Sequence, residues 1–304
     1  MIQKIAFKNL DWIDLESPTR ADIDEIRTEY GIHDFVANEL HKPTLKPRVD
    51  FYDHHIYCIL HFPIFDSIAN RIHTREIDFV LGKKFLITAH YEDISPLHEL
   101  ADIFKLGEND EYPHPKTHAG YLFFYIMQHL YSSLEKELSI IGNEIEHAED
   151  DVFRGKEREM VQYLSVIGRH ILDFARTLKS HREILLSFES ASIKFFGSEY
   201  AHYASAVSAE YYKIWNALET HKEILHDLRS TNDSLLTTKT NETIKFLTIM
   251  AFITFPLTLI AGIFGMNTAH TPFVDEEFGF WIIVGIMCLS TVIFFSFFKY
   301  RKWL

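Results

Sequence analysis

The sequence predicts an α+β membrane protein with an N-terminal α/β domain, a long helical stalk and two C-terminal transmembrane helices. Three observations carry this. Seven of the nine prolines fall before residue 116 and the next is Pro256, so the first part is built of short elements and the remainder is free to run as long helices. From Ser198 to Phe255 there are 58 residues with neither glycine nor proline. Two uncharged apolar runs close the chain, Phe246 to Gly265 and Phe278 to Phe298, each long enough to cross a hydrocarbon layer of about 30 Å.

In the first domain, residues 1–115, the runs His55 to Phe62, Glu76 to Leu81 and Phe85 to Ala89 read as strands. The last two are joined in a hairpin by a turn at Gly82, Lys83 and Lys84. Ser17 as N-cap and Pro18 in the first turn open a helix that runs to Tyr30 and stops at Gly31. Residues 116–197 read as an antiparallel helical hairpin with an acidic tip. Its first helix carries Leu122, Ile126, Leu130, Leu134, Leu138, Ile141, Ile145, Ala148 and Val152 on one face and breaks at Gly155. The second carries Leu164, Ile167, Ile171, Phe174 and Leu178. The acids Glu144, Glu146, Glu149, Asp150 and Asp151 are expected to pair in part with Arg158, Arg169, Arg176, Lys179 and Arg182 on the partner helix.

A third helix starts at Ser198 and enters the first span without a turn signal. As one unbroken rod from Ser198 to Phe255 it would be roughly 87 Å long. So long a helix cannot bury its apolar residues alone, which implies an oligomer. The expected divisions are thus 198–245 for the stalk, 246–267 for the first span, 268–277 for an external loop, 278–298 for the second span and 299–304 for a basic tail. Lys239 and Lys245 precede the first span, and Lys299, Arg301 and Lys302 follow the second, whereas the connection carries Asp275, Glu276 and Glu277. Positive flanks stay inside, so both termini are expected in the cytoplasm at the plasma (inner) membrane, with Trp281, Tyr300 and Trp303 as interfacial anchors. The opening residues lack the apolar run of a secretory signal peptide.

The formal net charge is −13. The part from residue 246 holds three basic and three acidic residues, so the excess lies on residues 1–245. Such acidity excludes nucleic acid as a partner. The two cysteines, Cys58 and Cys288, are far apart in sequence and supply neither a disulfide framework nor a cysteine-based zinc site. No glycine-rich phosphate loop, nucleophile elbow or His-Glu-x-x-His motif is present, so neither an enzyme, a cofactor nor an energy-coupled pump is expected.

Two spans cannot enclose a hydrophilic path, but several copies of the first can surround one. Its three- and four-residue steps give a stripe of Asn241, Ile244, Thr248, Ala251, Phe255, Thr258 and Gly262, flanked by Leu247 and Thr254. Asn241, Thr248, Thr258 and Gly262 suit a narrow pore, with Ile244, Leu247 and Phe255 as hydrophobic constrictions. The competing reading is that each Thr hydroxyl bonds the carbonyl four residues back.

The outer end of this span reads Gly265, Met266, Asn267. The run NETIKFLT from Asn241 to Thr248, followed by FPLTLIAGIFGMN from Phe255 to Asn267, resembles the signature of the CorA-type divalent-cation channels. The ending FKYRKWL from Phe298 to Leu304 and the early DWIDLESP from Asp11 to Pro18 are similar to theirs as well. The resemblance spans essentially the whole chain. It implies a funnel-shaped homopentamer in the bilayer, with five first spans around the pore, passing Mg²⁺, often Co²⁺ or Ni²⁺, and Zn²⁺ in one branch. Asn267 fits such a role. Mg²⁺ dehydrates reluctantly, and a ring of amide carbonyls accepts hydrogen bonds from its hydration waters without stripping them. Gly265 is expected to permit the turn at the mouth, and Asp275, Glu276 and Glu277 to raise the local cation concentration.

The chain departs from the family at three places. Phe255 stands where many relatives have Met, and Phe264 where Tyr is frequent. Relatives that sense Mg²⁺ carry aspartates on the upper stalk, whereas Ala204 to Asn216 offers only Glu210, leaving Glu219, Glu223, Asp227 and Asp233 as substitutes. Among the 18 histidines, His54 with His55 and His114 with His118 are the best-spaced ligand pairs, though no further ligand stands at a diagnostic spacing. The alternatives to a Mg²⁺ channel are a Zn²⁺ transporter of the same fold, with or without proton coupling, and a membrane-anchored scaffold without flux.

Overall fold

The computed structural model describes residues 2–7, 9–44, 46–66, 71–106, 118–266, 277–301 and 303. The strands are β1 (Ile2–Phe7), β2 (Leu10–Glu16), β3 (Arg48–Phe51), β4 (Ile56–Asp66), β5 (Arg71–Leu81) and β6 (Phe85–His90). The helices are α1 (Arg20–Tyr30), α2 (Asp34–Glu39), α3 (Ser95–Leu106), α4 (Gly120–Phe153), α5 (Glu157–Leu178), α6 (His181–Phe196), α7 (Ala201–Phe264) and α8 (Gly279–Tyr300). The chain divides into two units, Met1–Arg229 and Ser230–Leu304.

In the first unit the sheet order is β1-β2-β6-β5-β4-β3. Strands β2 and β6 run parallel and the other neighbours antiparallel. Side chains alternate between faces, so Ile13, Leu15, Ile87, Ala89, Tyr57, Ile59 and Val80 face one way. They bury against Ile23 and Ile26 of α1, Val36 of α2 and Leu40. The opposite face carries Trp12, Thr88 and Phe79; Phe104 of α3 meets Trp12 edge-on at 5.8 Å and Phe123 of α4 meets Phe79 at 5.1 Å. Because both faces are covered, β2 is buried at nearly every position.

The expected strands are present, with β4 running on to Asp66, β5 starting already at Arg71 and β6 ending at His90. The cap of α1 lies two residues later than the sequence suggested. Thr19 receives the Asp22 N–H while the Asp22 carboxylate receives the Thr19 N–H, a reciprocal capping box, whereas Ser17 donates its N–H to the His90 carbonyl and its hydroxyl to the Tyr91 carbonyl. Gly31 closes the helix at φ 66°, a conformation glycine adopts without steric cost.

Beyond the sheet, α4 and α5 bury the apolar stripes read from the sequence. In place of a two-helix hairpin there are three helices, because the chain breaks again at Lys179 and Ser180 without a glycine or proline. The ion pairs at the tip are local, Arg154 to Asp150 and Lys156 to Asp151, rather than between the expected partners on the two helices. Buried His181 ties three elements together. Its Nε2–H donates to the His61 carbonyl of β4 at 2.7 Å, and its Nδ1 accepts from the Tyr131 hydroxyl of α4 at 2.8 Å. Burial pushes its pKa down to about 4. Where α5 passes α7, the absence of a side chain on Gly168 makes room for Arg229. An added Cβ would lie 2.0 Å from Nη2, which donates to the Leu164 carbonyl at 2.7 Å.

In the second unit, α7 continues through Pro256 to Phe264, and α8 follows. Among the described residues these are two helices long and apolar enough to cross a membrane.

Candidate functional site

The environment of α7 in the second unit differs around its circumference. Ile249 is buried, and Ile253, Pro256, Leu257, Ile260 and Phe264 are half-buried. On α8 the buried side chain is Phe298, whose ring lies 6.3 Å from that of Phe252. At 3.6 residues per turn, the expected pore stripe of Ile244, Leu247, Ala251, Phe255, Thr258 and Gly262 centres roughly 180° from the shielded side. Apart from half-buried Ala251, these residues are exposed: Phe255 by 72%, Leu247 by 60% and Ile244 by 54%. Nothing lies within 4 Å of where a Cβ on Gly262 would stand. Asn241, exposed, and Thr248, half-buried, flank this face.

The threonines bond to their own helix. Thr248 donates to the Ile244 carbonyl at 2.7 Å, Thr258 to Thr254 at 2.9 Å, and Thr254 to Met250. This does not remove them from a pore. A hydroxyl whose proton is spent on the backbone presents only lone pairs, which suits a hydrated cation whose waters can only donate outward.

Gly265 stands in the turn that ends α7. It extends the last turn of α7 through N–H donation to Ala261, without a positive φ, and an added Cβ would stand 2.9 Å from the Ala261 carbonyl. The absence of a side chain there permits a close backbone approach. Met266 is 59% exposed. Asn267, Asp275 and Glu276 lie outside the described residues, whereas Glu277 is exposed. Trp281 and Tyr300 are 68% and 87% exposed.

Of the stalk acids, Glu210 is half-buried, and Glu219 pairs with Lys222 at 3.1 Å. Glu219, Glu223 and Asp227 line a groove of about 840 Å³ with Gly168 and Arg229, in which Lys222 and Arg229 supply positive charge. They do not converge at metal-ligand spacing. The histidine pairs are not assembled either. His54 is exposed, and His55 is buried, stacked on Tyr52, its pKa pushed down to about 4 by burial. His118 stacks on Phe196 at 4.3 Å, while His114 lies outside the described residues. The ligand group that does converge among the described residues is Asp14, His90 and His98, which sequence spacing does not suggest.

In sequence, an α/β unit is followed by a long helix that leads into a pair of helices long and apolar enough to cross a membrane, with one face of α7 uncovered. Residues 7–301 match the model of the CorA-like Mg²⁺ transporter family, and the chain belongs to that family. It is 26% identical to the cobalt/magnesium transport protein CorA of Thermotoga maritima, over 96% of this chain and 83% of that one. It is 22% identical to the protein of the same description from Methanocaldococcus jannaschii, over 100% and 95%. The complete structure of the CorA magnesium transporter from M. jannaschii superposes with a TM-score of 0.84 at 21% identity, covering 99% of this chain and 94% of that one. Divalent-cation transport by a chain with transmembrane helices is therefore the family activity.

Proposed function

We propose that five copies of this chain form a passive channel for Mg²⁺, with α7 of each lining the pore and α8 outside it. Both ends of the chain lie on the cytoplasmic side of the plasma membrane. The observation that carries this reading is the uncovered face of α7 opposite the side shielded by α8. A lone chain would leave Thr258 and Gly262 facing lipid for no gain. Copies packed about an axis turn them inward, beside the constrictions at Ile244, Leu247 and Phe255. Asn267 forms an amide ring at the outer mouth that accepts hydrogen bonds from the waters of the hydrated ion, supported by Gly265 and Met266. Carboxylates there would hold a dication more tightly and slow its release. Asp275, Glu276 and Glu277 concentrate cations outside.

The test is flux into liposomes loaded with dyes for Mg²⁺, Co²⁺ and Zn²⁺, under an inside-negative potential. The wild type is expected to admit Mg²⁺, and N267A to lose at least about tenfold of that rate. Equal rates in both proteins would remove Asn267 from selectivity. Zn²⁺ entry that requires a pH gradient would replace the Mg²⁺ channel with a proton-linked Zn²⁺ transporter, and absence of all flux would leave a scaffold.

A further inference from the structure

Strands β2 and β6 run parallel with Asp14 opposite Thr88, so Trp12, Asp14, Thr88 and His90 all fall on the face covered by α3. Asp14 and His90 are 2% and 0% exposed. The hydrogen bonds among them follow a strict donor order. The Trp12 indole N–H donates to the Thr88 hydroxyl at 3.0 Å, and that hydroxyl donates to Asp14 Oδ1 at 2.5 Å. His90 Nδ1 lies 2.8 Å from the Glu92 carbonyl oxygen, which can only accept, so Nδ1 carries the ring proton. In the neutral ring, Nε2 then turns its lone pair on Asp14 Oδ2, 3.3 Å away. Two acceptors face each other in a buried place, and only a cation between them relieves the contact.

A proton would need just these two groups, but a third converges. His98, on the second turn of α3, has its ring centroid 5.4 Å from that of His90. Its Nδ1 lies 3.0 Å from Asp93 Oδ1, so this ring too has its Nδ1 proton spent on an oxygen and keeps a lone pair on Nε2. One ligand atom from each of Asp14, His90 and His98 lies within 4.8 Å of the other two. Ligand atoms around a tetrahedral zinc stand about 3.4 Å apart, given bonds of about 2.1 Å. The buried pair already meets that spacing, and a ligand atom of half-exposed His98 stands within 4.8 Å of both.

We propose that Asp14, His90 and His98 form a binding site for a Zn²⁺-class transition-metal ion within the α/β unit of each chain. Two imidazoles and one carboxylate with an open fourth position suit Zn²⁺ or Co²⁺, whereas Mg²⁺ takes oxygen ligands. The outer partners are those that bound metals use. Each imidazole is oriented by an oxygen acceptor, and the carboxylate is held by a hydroxyl that is itself held by an indole. The ion would bridge β2, β6 and α3, so binding it stabilises the folded unit by mass action. The site is separate from the membrane helices and does not depend on which ion crosses them.

The experiment uses the full chain, purified in detergent and stripped of metal, with Zn²⁺ and Co²⁺ as probes. Wild type is expected to bind one more Zn²⁺ per chain than H98A, to give the visible absorption of Co²⁺ in a low-coordinate nitrogen and oxygen site, and to unfold at a higher temperature with Zn²⁺. H98A and H98Q lose all three effects, and either one that folds suffices because His98 is half-exposed. T88V weakens Zn²⁺ about 10–100-fold through the oriented carboxylate, and millimolar Mg²⁺ does not compete. Identical Zn²⁺ stoichiometry and Co²⁺ spectra in wild type and a folded His98 variant would overturn the proposal, as would displacement by Mg²⁺.

Discussion

The large buried phenylalanines belong mostly to one unit of the chain and the strongly exposed ones mostly to the other. In Met1–Arg229, Phe62, Phe79, Phe123, Phe174 and Phe188 are among the largest fully buried side chains. In Ser230–Leu304, Phe246, Phe252, Phe255, Phe278, Phe280, Phe295 and Phe297 are at least half exposed. The first unit removes apolar surface from water by its own folding. In the proposed assembly the second would meet two other surroundings, lipid on one side and a neighbouring copy on another, so its packing energy would come from association. A substitution of the same chemistry therefore reads out differently in each.

The largest contrast comes from two truncations of that residue type. F79A removes a side chain with 0% exposure and its edge contact with Phe123; it should cost about 3–5 kcal/mol in thermal unfolding of the first unit. F255A, at a position 72% exposed, should leave that transition within about 0.5 kcal/mol. It should instead raise Mg²⁺ flux by widening a hydrophobic constriction. Loss of unfolding stability in F255A without a change in flux would break the comparison.

Acid gives a second test. His181 is neutral in the folded unit, with a pKa lowered to about 4 against 6.5 when unfolded. Its contribution is therefore fully present above pH 6.5 and is lost as pH falls toward 4, by about 3 kcal/mol for a shift of this size. Buried His55 acts in the same direction. Unfolding followed between pH 7 and 4 should show the first unit weakening over this window. H181Q, which keeps a donor for the His61 carbonyl, should flatten the profile; an unchanged slope would assign the acid sensitivity elsewhere.

How much of this was legible follows from where each signal lives. Strands β4 to β6 were readable because their apolar residues are concentrated and a Gly-Lys-Lys turn separates the last two. Strand β2 was not. It is covered on both faces, and Asp14 inside it looks like a surface residue until the Thr88 hydroxyl and the His90 ring are set beside it. The break between α5 and α6 left no glycine or proline mark, because packing of His181 between β4 and α4 fixes it rather than local propensity. The exposed face of α7 was legible from helical steps alone. The metal-ligand group was not, since its members come from residues 14, 90 and 98 and meet only through a parallel strand pairing.

The smallest effect is expected at Gly168. G168A gains about 1 kcal/mol of helix propensity but displaces the Arg229 guanidinium, 2.0 Å from the new Cβ, from the Leu164 carbonyl, a bond worth about the same. Thermal unfolding should shift by less than about 0.5 kcal/mol, and a larger loss would show that Arg229 cannot swing away.

That near-cancellation has a use beyond stability. The displaced guanidinium belongs to the groove that holds Glu219, Glu223 and Asp227. One methyl group on the facing helix thus acts as a dial on the electrostatic potential there, repositioning a full positive charge while leaving every acid untouched and the fold at almost the same free energy. Evolution or an engineer could adjust that surface's appetite for counter-ions from a residue that carries no charge of its own.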